Sequence, residues 1–452
     1  MFNKVSSDHN RRQFLKNGMA FSLAMGAFPS IMTGQSNKVA PSNRLNVGVI
    51  GLGGRGLTLM QSFLRQGDVH VSALCDVDLE HYRSNPWGKG RVFGLTAALR
   101  SVEQYYGEHQ KKSGIYFGCE AFKDYRDLCA HKEVDAVVVA TPDHWHYHQV
   151  MEALKCGKDV YCEKPVTHTF MEGKMVYREV LRRKAIFQVG SQQRSTANFH
   201  HAVELIRNGH IGKIKRVEVG LPPGYHEPRI PAQIEPIPKG LDYDLWTGPA
   251  PLLPYMKARH HQLWRGHLAY GGGNIMDWIG HHNDIAHWGV GMDDSGPLEV
   301  ESIGWTSSAT SVYDTPVDYE IRCLYPGDIE WLIGSKYTMG TKWIGENGWI
   351  YVNRGKLEAS DKRWVAKGFD PGPAKAYQSK DHIRNFIEGV KQRKQCIAPA
   401  ETGHRSITPG HLGYASNKLG RKLKFDPRTE RVLDDAEANA ILDKSYRKPW
   451  KI

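Results

Sequence analysis

Several sequence features that define other classes of protein are scarce or missing in this chain of 452 residues. Its seven cysteines show no CxxC spacing and no even-numbered framework, so we expect buried free thiols, with a structural disulfide as the alternative. The sequence has no internal repeat or low-complexity segment, and no long apolar segment follows residue 37. It also lacks a basic stripe, zinc-finger spacing and an RNA-binding aromatic motif. The net charge of +12 therefore favours general solubility and predicts no nucleic-acid partner.

The composition that remains is that of a folded protein with ample material for a core. Apolar residues make up 40% of the chain and charged residues 24%, which excludes wholesale disorder. The length alone predicts two or three domains. Aromatic and imidazole side chains are abundant, with 12 Trp, 20 Tyr and 22 His. Such side chains often line sugar-binding clefts, although most of them usually belong to the core or the surface.

The N-terminus has the pattern of a twin-arginine export signal. Arg11 and Arg12 begin a short basic segment that is followed by a weakly apolar, uncharged run over residues 17–37. We expect residues 1–40 to be a Tat-type signal and linker, and the protein to be periplasmic or otherwise exported, without a stable membrane span after export. The alternative is an amphipathic or membrane-lying first helix. Because the Tat pathway exports folded proteins, this signal predicts a tightly held cofactor.

A dinucleotide-binding domain is predicted from residue 44 onward. Residues 45–50 form an apolar strand that leads into the GLGGRG turn and then into a helical stretch. Glycines suit a tight turn in which the backbone approaches a pyrophosphate and a helix packs close to a strand. A second strand ends in Asp76, whose carboxylate would bind ribose hydroxyls and repel a 2'-phosphate, which favours NAD over NADP. The cofactor-binding residues expected here are Gly51, Gly53, Gly54, Arg55, Gly56 and Asp76; the alternative is a Gly-rich turn in an unrelated α/β domain.

Two further apolar runs, residues 136–140 and 159–162, read as buried strands of the same parallel sheet. Ligands bind beyond the carboxyl ends of such strands, so the segments that follow them should line the cofactor crevice. Lys164 is placed there for proton transfer, although it could also be a surface lysine before a turn proline. His144, His146 and His148 either contact a ligand or decorate the following helix. The cofactor-binding residues expected from these segments are Thr141, Pro142, His146, Glu163 and Lys164.

These motifs, in this order, resemble the Gfo/Idh/MocA oxidoreductases, the family of glucose-fructose oxidoreductase and inositol dehydrogenase. The match runs from Asn43 to about Asp426 and includes Gly190-Ser191-Gln192-Gln193-Arg194 and the triple glycine at 271–273. The resemblance implies an α/β protein with an N-terminal Rossmann doubly wound parallel sheet and a C-terminal α/β domain with a large open, mostly antiparallel sheet. We place the NAD-binding domain at 43–165, the substrate and oligomerisation domain at 166–426, and a C-terminal tail at 427–452. The resemblance further implies a homo-oligomer, a dimer or tetramer.

The second half of the chain favours an antiparallel sheet on its own residues. Segments rich in β-branched and aromatic residues alternate with turn residues. The strands predicted in this way are 213–221, 298–308, 318–325, 328–337 and 343–353. Residues 222–259 contain nine prolines and predict an ordered loop over a cleft or subunit contact. Residues 381–393 predict an amphipathic helix, and residues 399–423 a further helical segment.

A helix over residues 274–289 is the candidate for the substrate face. Asp277, His281, Asp284 and Trp288 are spaced 4, 3 and 4 residues apart and share one helical face. The family resemblance implies that Asp277 and His281 face the substrate. Oxidation of a hydroxyl needs a base for the O–H proton, and Lys164 and His281 can share that work, oriented by Asp277. The alternative is a buried helix whose polar groups satisfy one another.

The remaining site candidates lie in two short segments. Gln192, Gln193 and Arg194 are expected at the edge of the nicotinamide and substrate, with Gln193 assigned to the cofactor and Arg194 to the substrate. Trp264 could stack on a sugar ring and Arg265 could bind hydroxyls or an acidic group, while Tyr225, His226 and Tyr270 are weaker candidates. A packing role is the alternative for each. Six histidines between positions 260 and 287 raise the question of a metal, but the helix lacks HExxH spacing and we expect no metal ion.

Three functions compete. The leading hypothesis is an exported NAD-dependent oxidoreductase that acts on a hydroxyl of a sugar, cyclitol or glycoside with tightly bound NAD. The alternative is an NAD-dependent glycoside hydrolase, similar to the α-N-acetylgalactosaminidase family, that uses transient oxidation at carbon 3, elimination, hydration and re-reduction. That family's Tyr-Pro-x-His segment is not visible at the corresponding point, so hydrolysis ranks second. A non-catalytic sugar or NAD sensor is the third, and the presence of Lys164 and His281 argues against it.

Overall fold

A computed structural model describes residues 43–84, 89–110, 118–308, 310 and 312–450. The predicted export signal at 1–40 lies outside the described residues. Among the helices that are described, none is both long enough and apolar enough to cross a membrane. All seven cysteines are free thiols, as the absence of paired spacings predicted.

The first part of the chain forms a parallel sheet with helices on both faces. Its strands and helices, in chain order, are β1 (Leu45–Ile50), α1 (Gly54–Leu64), β2 (Val69–Cys75), β3 (His81–Arg83), β4 (Arg91–Phe93), α2 (Leu95–Gln110), β5 (Glu120–Phe122), α3 (Tyr125–Ala130), β6 (Ala136–Val139), α4 (Asp143–Lys155), β7 (Asp159–Cys162), α5 (Phe170–Arg183) and β8 (Phe187–Val189). The sheet order is β5-β2-β1-β6-β7-β8, and every pairing in it is parallel. Strands β3 and β4 form a separate antiparallel hairpin. The chain direction across the sheet reverses between β1 and β6, and such a switch point opens a ligand crevice at the carboxyl ends of the strands.

The second part carries a large open sheet. Its elements are α6 (Ala197–Arg207), β9 (Ile214–Gly220), α7 (Tyr243–Thr247), α8 (Gly273–Val290), β10 (Glu299–Ser307), β11 (Pro316–Tyr325), β12 (Ile329–Gly334), β13 (Gly340–Gly345), β14 (Gly348–Asn353), β15 (Lys356–Ala359), α9 (His382–Gln392), α10 (Ala400–Leu419), β16 (Leu423–Asp426), β17 (Arg431–Val432) and α11 (Ala436–Ile441). The sheet order is β15-β14-β13-β9-β12-β11-β10-β16-β17, with β9 and β12 parallel and the other pairs antiparallel. The predicted fold class is confirmed in both parts.

Three sequence-based boundaries shift in the structure. The first sheet continues beyond residue 165, because β8 pairs with β7. The run predicted as one strand over 343–353 is the hairpin β13–β14, because Glu346 and Asn347 turn the chain between two glycines. The segment predicted as a tail at 427–452 contains β17 and α11, which close the edge of the second sheet.

Helix α8 is the element that brings the second part to the crevice of the first. It is buried along most of its length, and it packs against α10, α6 and β13. Its first residue, Gly273, has a φ of +72°. Lys164 directly follows the end of β7 and donates a hydrogen bond to the carbonyl oxygen of Asp277. This contact places the start of α8 at the carboxyl edge of the parallel sheet.

Candidate active site

One large cavity joins the two parts of the chain, with a volume of about 1080 Å³. That volume is at the upper end of the range for small-molecule and cofactor sites. Its wall combines the Gly-rich turn, the segments after β6 and β7, the start of α8 and the proline-rich loop. The predicted site residues that line it are Gly51, Gly53, Gly54, Arg55, Asp76, Thr141, Pro142, Glu163, Lys164, Gln193, Trp264, Arg265, Asp277 and His281. The structure thus brings together residues separated by more than 200 positions in sequence.

The Gly-rich turn has the geometry that a dinucleotide requires. Gly51 has a φ of +86°, and a Cβ on it would lie 2.8 Å from the carbonyl oxygen of Ala140. A Cβ on Gly56 would lie 1.7 Å from the Gly51 carbonyl oxygen, so only glycine lets α1 pack this closely on the turn. No side chain caps α1 at Gly53. The amides of the first turn of α1 are therefore available to a phosphate.

Asp76 lines the cavity at the place where it can contact the ribose of a bound dinucleotide. One carboxylate oxygen accepts a hydrogen bond from the backbone amide of Leu52 at 2.6 Å, and the other accepts one from Asp78 at 3.0 Å. Burial raises the pKa of Asp76, and these two backbone donors oppose that rise. The carboxylate is fixed against the turn, and its remaining acceptor positions suit ribose hydroxyls. The amides of the first turn of α1 and the carboxylate of Asp76 therefore fit the phosphates and the ribose of NAD.

Glu163 faces the Gly-rich turn and holds Arg55. Its Oε1 accepts hydrogen bonds from Nε of Arg55 at 2.7 Å and from Nε2 of Gln192 at 3.0 Å. A Cβ on Gly190 would lie 2.5 Å from the same oxygen, so β8 also comes close to this carboxylate. Burial acts to lower the pKa of Arg55, but Glu163 outweighs it and the net shift is upward. Glu163 therefore ties the end of β7 to the turn and orients the Arg55 guanidinium there.

Lys164 and Asp277 form the central ion pair of the cavity. The Lys164 Nζ donates to Oδ1 of Asp277 at 2.5 Å and to the Asp277 carbonyl oxygen at 2.8 Å. The Nε of Arg265 lies 3.5 Å from the same Oδ1. Burial acts to raise the pKa of Asp277, but the two cations outweigh it and lower that pKa to about 2. Asp277 is therefore an anion at neutral pH and holds the ammonium of Lys164 at the start of α8.

His281 lies one helical turn after Asp277 and is buried at the cavity wall. Burial moves its pKa well below the usual range, and the nearby charge of Lys164 adds to that effect. Its Nδ1 has no hydrogen-bond partner among the described residues. Its backbone carbonyl accepts from Nε2 of Gln193, whose Oε1 in turn accepts from Nε of Arg354. His281 is thus held as a neutral imidazole, and its protonated form is disfavoured at this position.

The other half of the predicted helical face points away from the cavity. Asp284 accepts from Nε of Arg194 at 2.7 Å, and Asp293 accepts from its Nη2 at 2.6 Å. The Arg194 guanidinium also lies 5.1 Å from the ring centre of Trp288. Arg194 is 1% exposed and is fully engaged by these groups. This corrects the expectation that Arg194 binds substrate, because Asp284 and Asp293 hold its buried guanidinium and it does not line the cavity.

His146 is also not at the cavity wall. Its Nδ1 lies 2.7 Å from the carbonyl oxygen of Pro165 and its Nε2 lies 3.1 Å from that of Thr141. The ring is buried and links the segments that follow β6 and β7. The side chain of His146 therefore connects the segments that follow β6 and β7. This corrects its assignment as a cofactor contact.

The abundant aromatic residues of the loop and α8 are mostly core. Tyr270 is buried in a cluster with Trp246, while Tyr225 lines the cavity. Trp264 lines the cavity too but is 6% exposed, and the Arg265 guanidinium lies 4.4 Å from its ring centre. Trp264 is therefore placed to position Arg265 more than to offer an open stacking face.

Asp143 is a cavity residue that sequence reasoning passed over. It is the first residue of α4, is 5% exposed and lines the cavity beside Arg265 and Asp277. Burial raises its pKa to about 7, opposed by Arg265 and reinforced by Asp277. Its position directly after Thr141-Pro142 was the available signal. Its burial depends on the triple glycine folding over it, since a Cβ on Gly271 would lie 3.1 Å from its Oδ2.

Among the clustered histidines, His261 belongs to a group of potential metal ligands. Among the described residues, one trio with metal-ligand spacing occurs, Asp78, His81 and His261, with ligand atoms within 4.8 Å of one another. The Nε of Arg83 donates to Nε2 of His81 at 3.0 Å. The Nδ1 of His81 lies 2.9 Å from Oδ2 of Asp78, and the absence of a metal ion stays a prediction.

The parallel sheet, the Gly-rich turn and the second sheet together define a two-domain dinucleotide-binding protein in which this turn, Lys164, Asp277 and His281 line one cavity. The chain belongs to the Gfo/Idh/MocA oxidoreductase family: residues 45–191 match the family's NAD-binding Rossmann fold and residues 205–452 match its C-terminal α/β domain. The predicted family and the predicted cofactor, NAD, are confirmed by these matches.

Individual relatives match over shorter stretches. A glycosyl hydrolase family 109 protein 2 from Shewanella sp. (strain ANA-3) is 31% identical over 180 residues, which are 37% of this chain and 36% of that protein. An inositol 2-dehydrogenase from Rhodococcus jostii is 36% identical over 127 residues, 27% of this chain and 34% of that protein. The chain spans about a third of the length of these curated relatives. The solved aldose-aldose oxidoreductase from Caulobacter crescentus, complexed with glycerol, has the same fold, with a TM-score of 0.59, 17% identity, and coverage of 84% of this chain and 100% of that chain.

Proposed function

We propose that this protein oxidises a hydroxyl group of a sugar, cyclitol or glycoside, with NAD held tightly in the cavity. The observation that carries the proposal is the arrangement of Lys164, Asp277 and His281 on the wall of the cavity that also contains the Gly-rich turn. The similarity to an inositol 2-dehydrogenase and to an aldose-aldose oxidoreductase supports a polyhydroxylated substrate.

Each of the three residues has a distinct part in the proposed reaction. When bound, NAD supplies the hydride acceptor for the carbon that carries the hydroxyl. Lys164 has three N–H donors; Asp277 accepts two, and the third is left for the substrate oxygen. His281, one helical turn after Asp277 on the same cavity wall, is assigned as the acceptor of the hydroxyl proton as the hydride leaves. Asp277 keeps Lys164 in place and balances its charge in a largely buried site.

Export and tight cofactor binding belong to the same proposal. The twin-arginine pattern at Arg11 and Arg12 supports export of the folded protein. An exported enzyme meets little free dinucleotide, so a retained NAD must be restored by a second substrate or by a reaction that is redox-neutral overall. Substitution of both arginines by lysine should keep the protein in the cytoplasm. Continued export of that variant would contradict the Tat assignment.

A redox-neutral glycosidase is the second candidate, and Asp143 is the observation that favours it. Transient oxidation at carbon 3 acidifies the C2–H bond; elimination then needs a base for that proton and an acid for the departing aglycone oxygen. Asp143 supplies a second titratable group in the same cavity, with a pKa of about 7. Water then adds at carbon 1 and the ketone is reduced again. The 31% identity to a glycosyl hydrolase family 109 protein supports this candidate.

One experiment separates the two candidates. The protein is purified without added cofactor, bound NAD(H) is measured by absorbance and mass spectrometry, and a panel of sugars and aryl glycosides is supplied. NADH without aglycone supports the oxidoreductase, and aglycone without net NADH supports the glycosidase. The Asp294→Asn variant, altered at an exposed aspartate, is the control for nonspecific loss. Absence of both signals with NAD bound would refute both catalytic functions.

A further inference from the structure

Arg83 reaches from the β3–β4 hairpin over the Gly-rich turn. Its Nη2 lies 3.2 Å from the position of a Cβ on Gly53, and its Nη1 lies 3.9 Å from that of a Cβ on Gly54. Apart from Gly53 itself and its two chain neighbours, no other atom of the described residues comes within 4 Å of that position. The guanidinium also lies 4.9 Å from the ring centre of Phe93, which supports its flat orientation. Arg83 therefore shares the cavity wall with the N-terminus of α1.

A chain of polar contacts holds the inner side of this guanidinium. Arg83 donates from Nε to Nε2 of His81 at 3.0 Å, and Nδ1 of His81 lies 2.9 Å from Oδ2 of Asp78. The Nε2 of His261 lies 3.1 Å from the same oxygen, and the two imidazole rings stack at 3.5 Å. His261 has a φ of +47°, a left-handed conformation that a non-glycine residue adopts at a cost. These contacts hold Arg83 through its Nε, and its two terminal nitrogens take no part in them.

Among the described residues, the hydrogen bond that Arg83 makes is from Nε to His81, and none is found from the two terminal nitrogens. The two nearby carboxylates are already engaged, since Asp76 accepts from backbone amides and Asp78 lies between the two histidines. Burial lowers the pKa of Arg83 to about 10, and the charge of Arg265 adds to that effect. Arg83 is thus a cation at neutral pH with two free donor groups aimed into the dinucleotide end of the cavity.

We propose that Arg83 binds the pyrophosphate of NAD from the side opposite the amides of α1, and that His81, Asp78 and His261 position it for this contact. The pyrophosphate of a Rossmann cofactor lies at the N-terminus of the first helix, where the guanidinium of Arg83 is found. A planar guanidinium with two free terminal nitrogens matches the oxygens of a phosphate. The inference rests on the family's NAD binding and not on the identity of the substrate.

The positioning contacts also link two parts of the cavity. His261 belongs to the segment that leads into Trp264 and Arg265, on the substrate side, while Arg83 belongs to the hairpin on the cofactor side. A shift of this segment would therefore change the hold on the pyrophosphate. We expect Arg83 to slow cofactor release as well as to strengthen binding.

The test is a comparison of nucleotide binding between Arg83→Gln and the control Arg91→Gln. Arg91 pairs with Arg83 across the same hairpin, is exposed and does not line the cavity. The substitution Arg91→Gln therefore removes the same charge from a neighbouring position outside the cavity. The full-length proteins are stripped of nucleotide and titrated with NADH by fluorescence and with ADP-ribose, adenosine and NADP by calorimetry. Because hydrogen bonds to charged groups are strong, Arg83→Gln should lower the affinity for NADH and for ADP-ribose by about 10- to 100-fold.

Adenosine lacks the pyrophosphate, so its affinity should be unchanged in Arg83→Gln, and Arg91→Gln should bind all four ligands as the unmodified chain does. Unchanged NADH binding in Arg83→Gln would overturn the proposal. An equal loss of affinity for adenosine would also overturn it, because it would indicate damage to the hairpin. A loss of affinity confined to NADP would overturn it too, because it would place Arg83 at a 2'-phosphate.

His81→Gln tests the positioning role separately. If His81 acts through Arg83, its substitution weakens ADP-ribose in the unmodified background but adds nothing in the Arg83→Gln background. Additive losses would show that His81 acts independently and would overturn that part of the proposal. Both readouts are binding constants, so a failure of the proposed carbohydrate oxidation leaves them unaffected.

Discussion

The carboxyl group of Asp143 offers a quantitative test of the site's electrostatics. In the folded protein, burial raises its pKa to about 7, whereas an aspartate in an unfolded chain has a pKa of about 3.9. The folded state therefore binds this proton more tightly, and the contribution to stability is fully present below about pH 4. It is lost as pH rises toward and through 7, because ionisation then costs the folded state more than the unfolded state. At 1.36 kcal/mol per pH unit, the full loss is on the order of 4 kcal/mol.

The substitution Asp143→Asn removes the titrating group and keeps a similar shape. Relative to the unmodified chain, the variant should gain stability as pH rises from 4 to 8, by up to about 4 kcal/mol. The measurement is urea unfolding at a series of pH values, with Asp294→Asn as the control for an exposed aspartate. A difference between Asp143→Asn and the unmodified chain that stays flat across this range, or that changes in the opposite direction, would refute the argument that burial controls this group.

Three further substitutions test the turn, the ion pair and the buried arginine. Gly56→Ala should abolish NADH binding because its Cβ would lie 1.7 Å from a carbonyl oxygen of the turn, while Gly67→Ala, with no atom within 4 Å, should bind normally in the same titration. Lys164→Ala should lose turnover and keep bound NAD; an active variant would remove Lys164 from the mechanism. Arg194→Met should lower the free energy of unfolding by about 3–5 kcal/mol, because it leaves Asp284 as an unpaired buried charge. A loss under 1 kcal/mol in urea unfolding would contradict that account.

Local patterns were sufficient for much of the fold. The strand, the Gly-rich turn and the helix at residues 45–64 follow from a continuous apolar run and from glycines whose positions sterics dictate. The run at 343–353 failed because its apolar residues continue through the short turn at Glu346 and Asn347. Periodicity cannot register a two-residue reversal when both flanking strands are buried.

The candidate site was predictable where spacing and family resemblance agreed. Asp277 and His281 share a helical face, and the resemblance indicated which face meets the ligand. Arg194 could not be placed, because its partners Asp284 and Asp293 lie about 90 and 99 positions away in sequence. Arg83 escaped notice for a similar reason: its donors are aimed by His81 and, through Asp78, by His261, a contact between distant segments.

The ion pair between Lys164 and Asp277 also acts as a clasp between the two domains. Lys164 follows β7 of the first sheet, whereas Asp277 lies on α8, which packs on the second sheet. A hinge motion that parts the domains to admit or release a dinucleotide would pull these two charges apart and expose both to water. The open form would lack the contact between Lys164 and Asp277, so under the proposed function the cofactor would be loaded in one state and the reaction would run in the other. Under the proposed function, this coupling would favour an enzyme that loads its cofactor once and keeps it through many cycles.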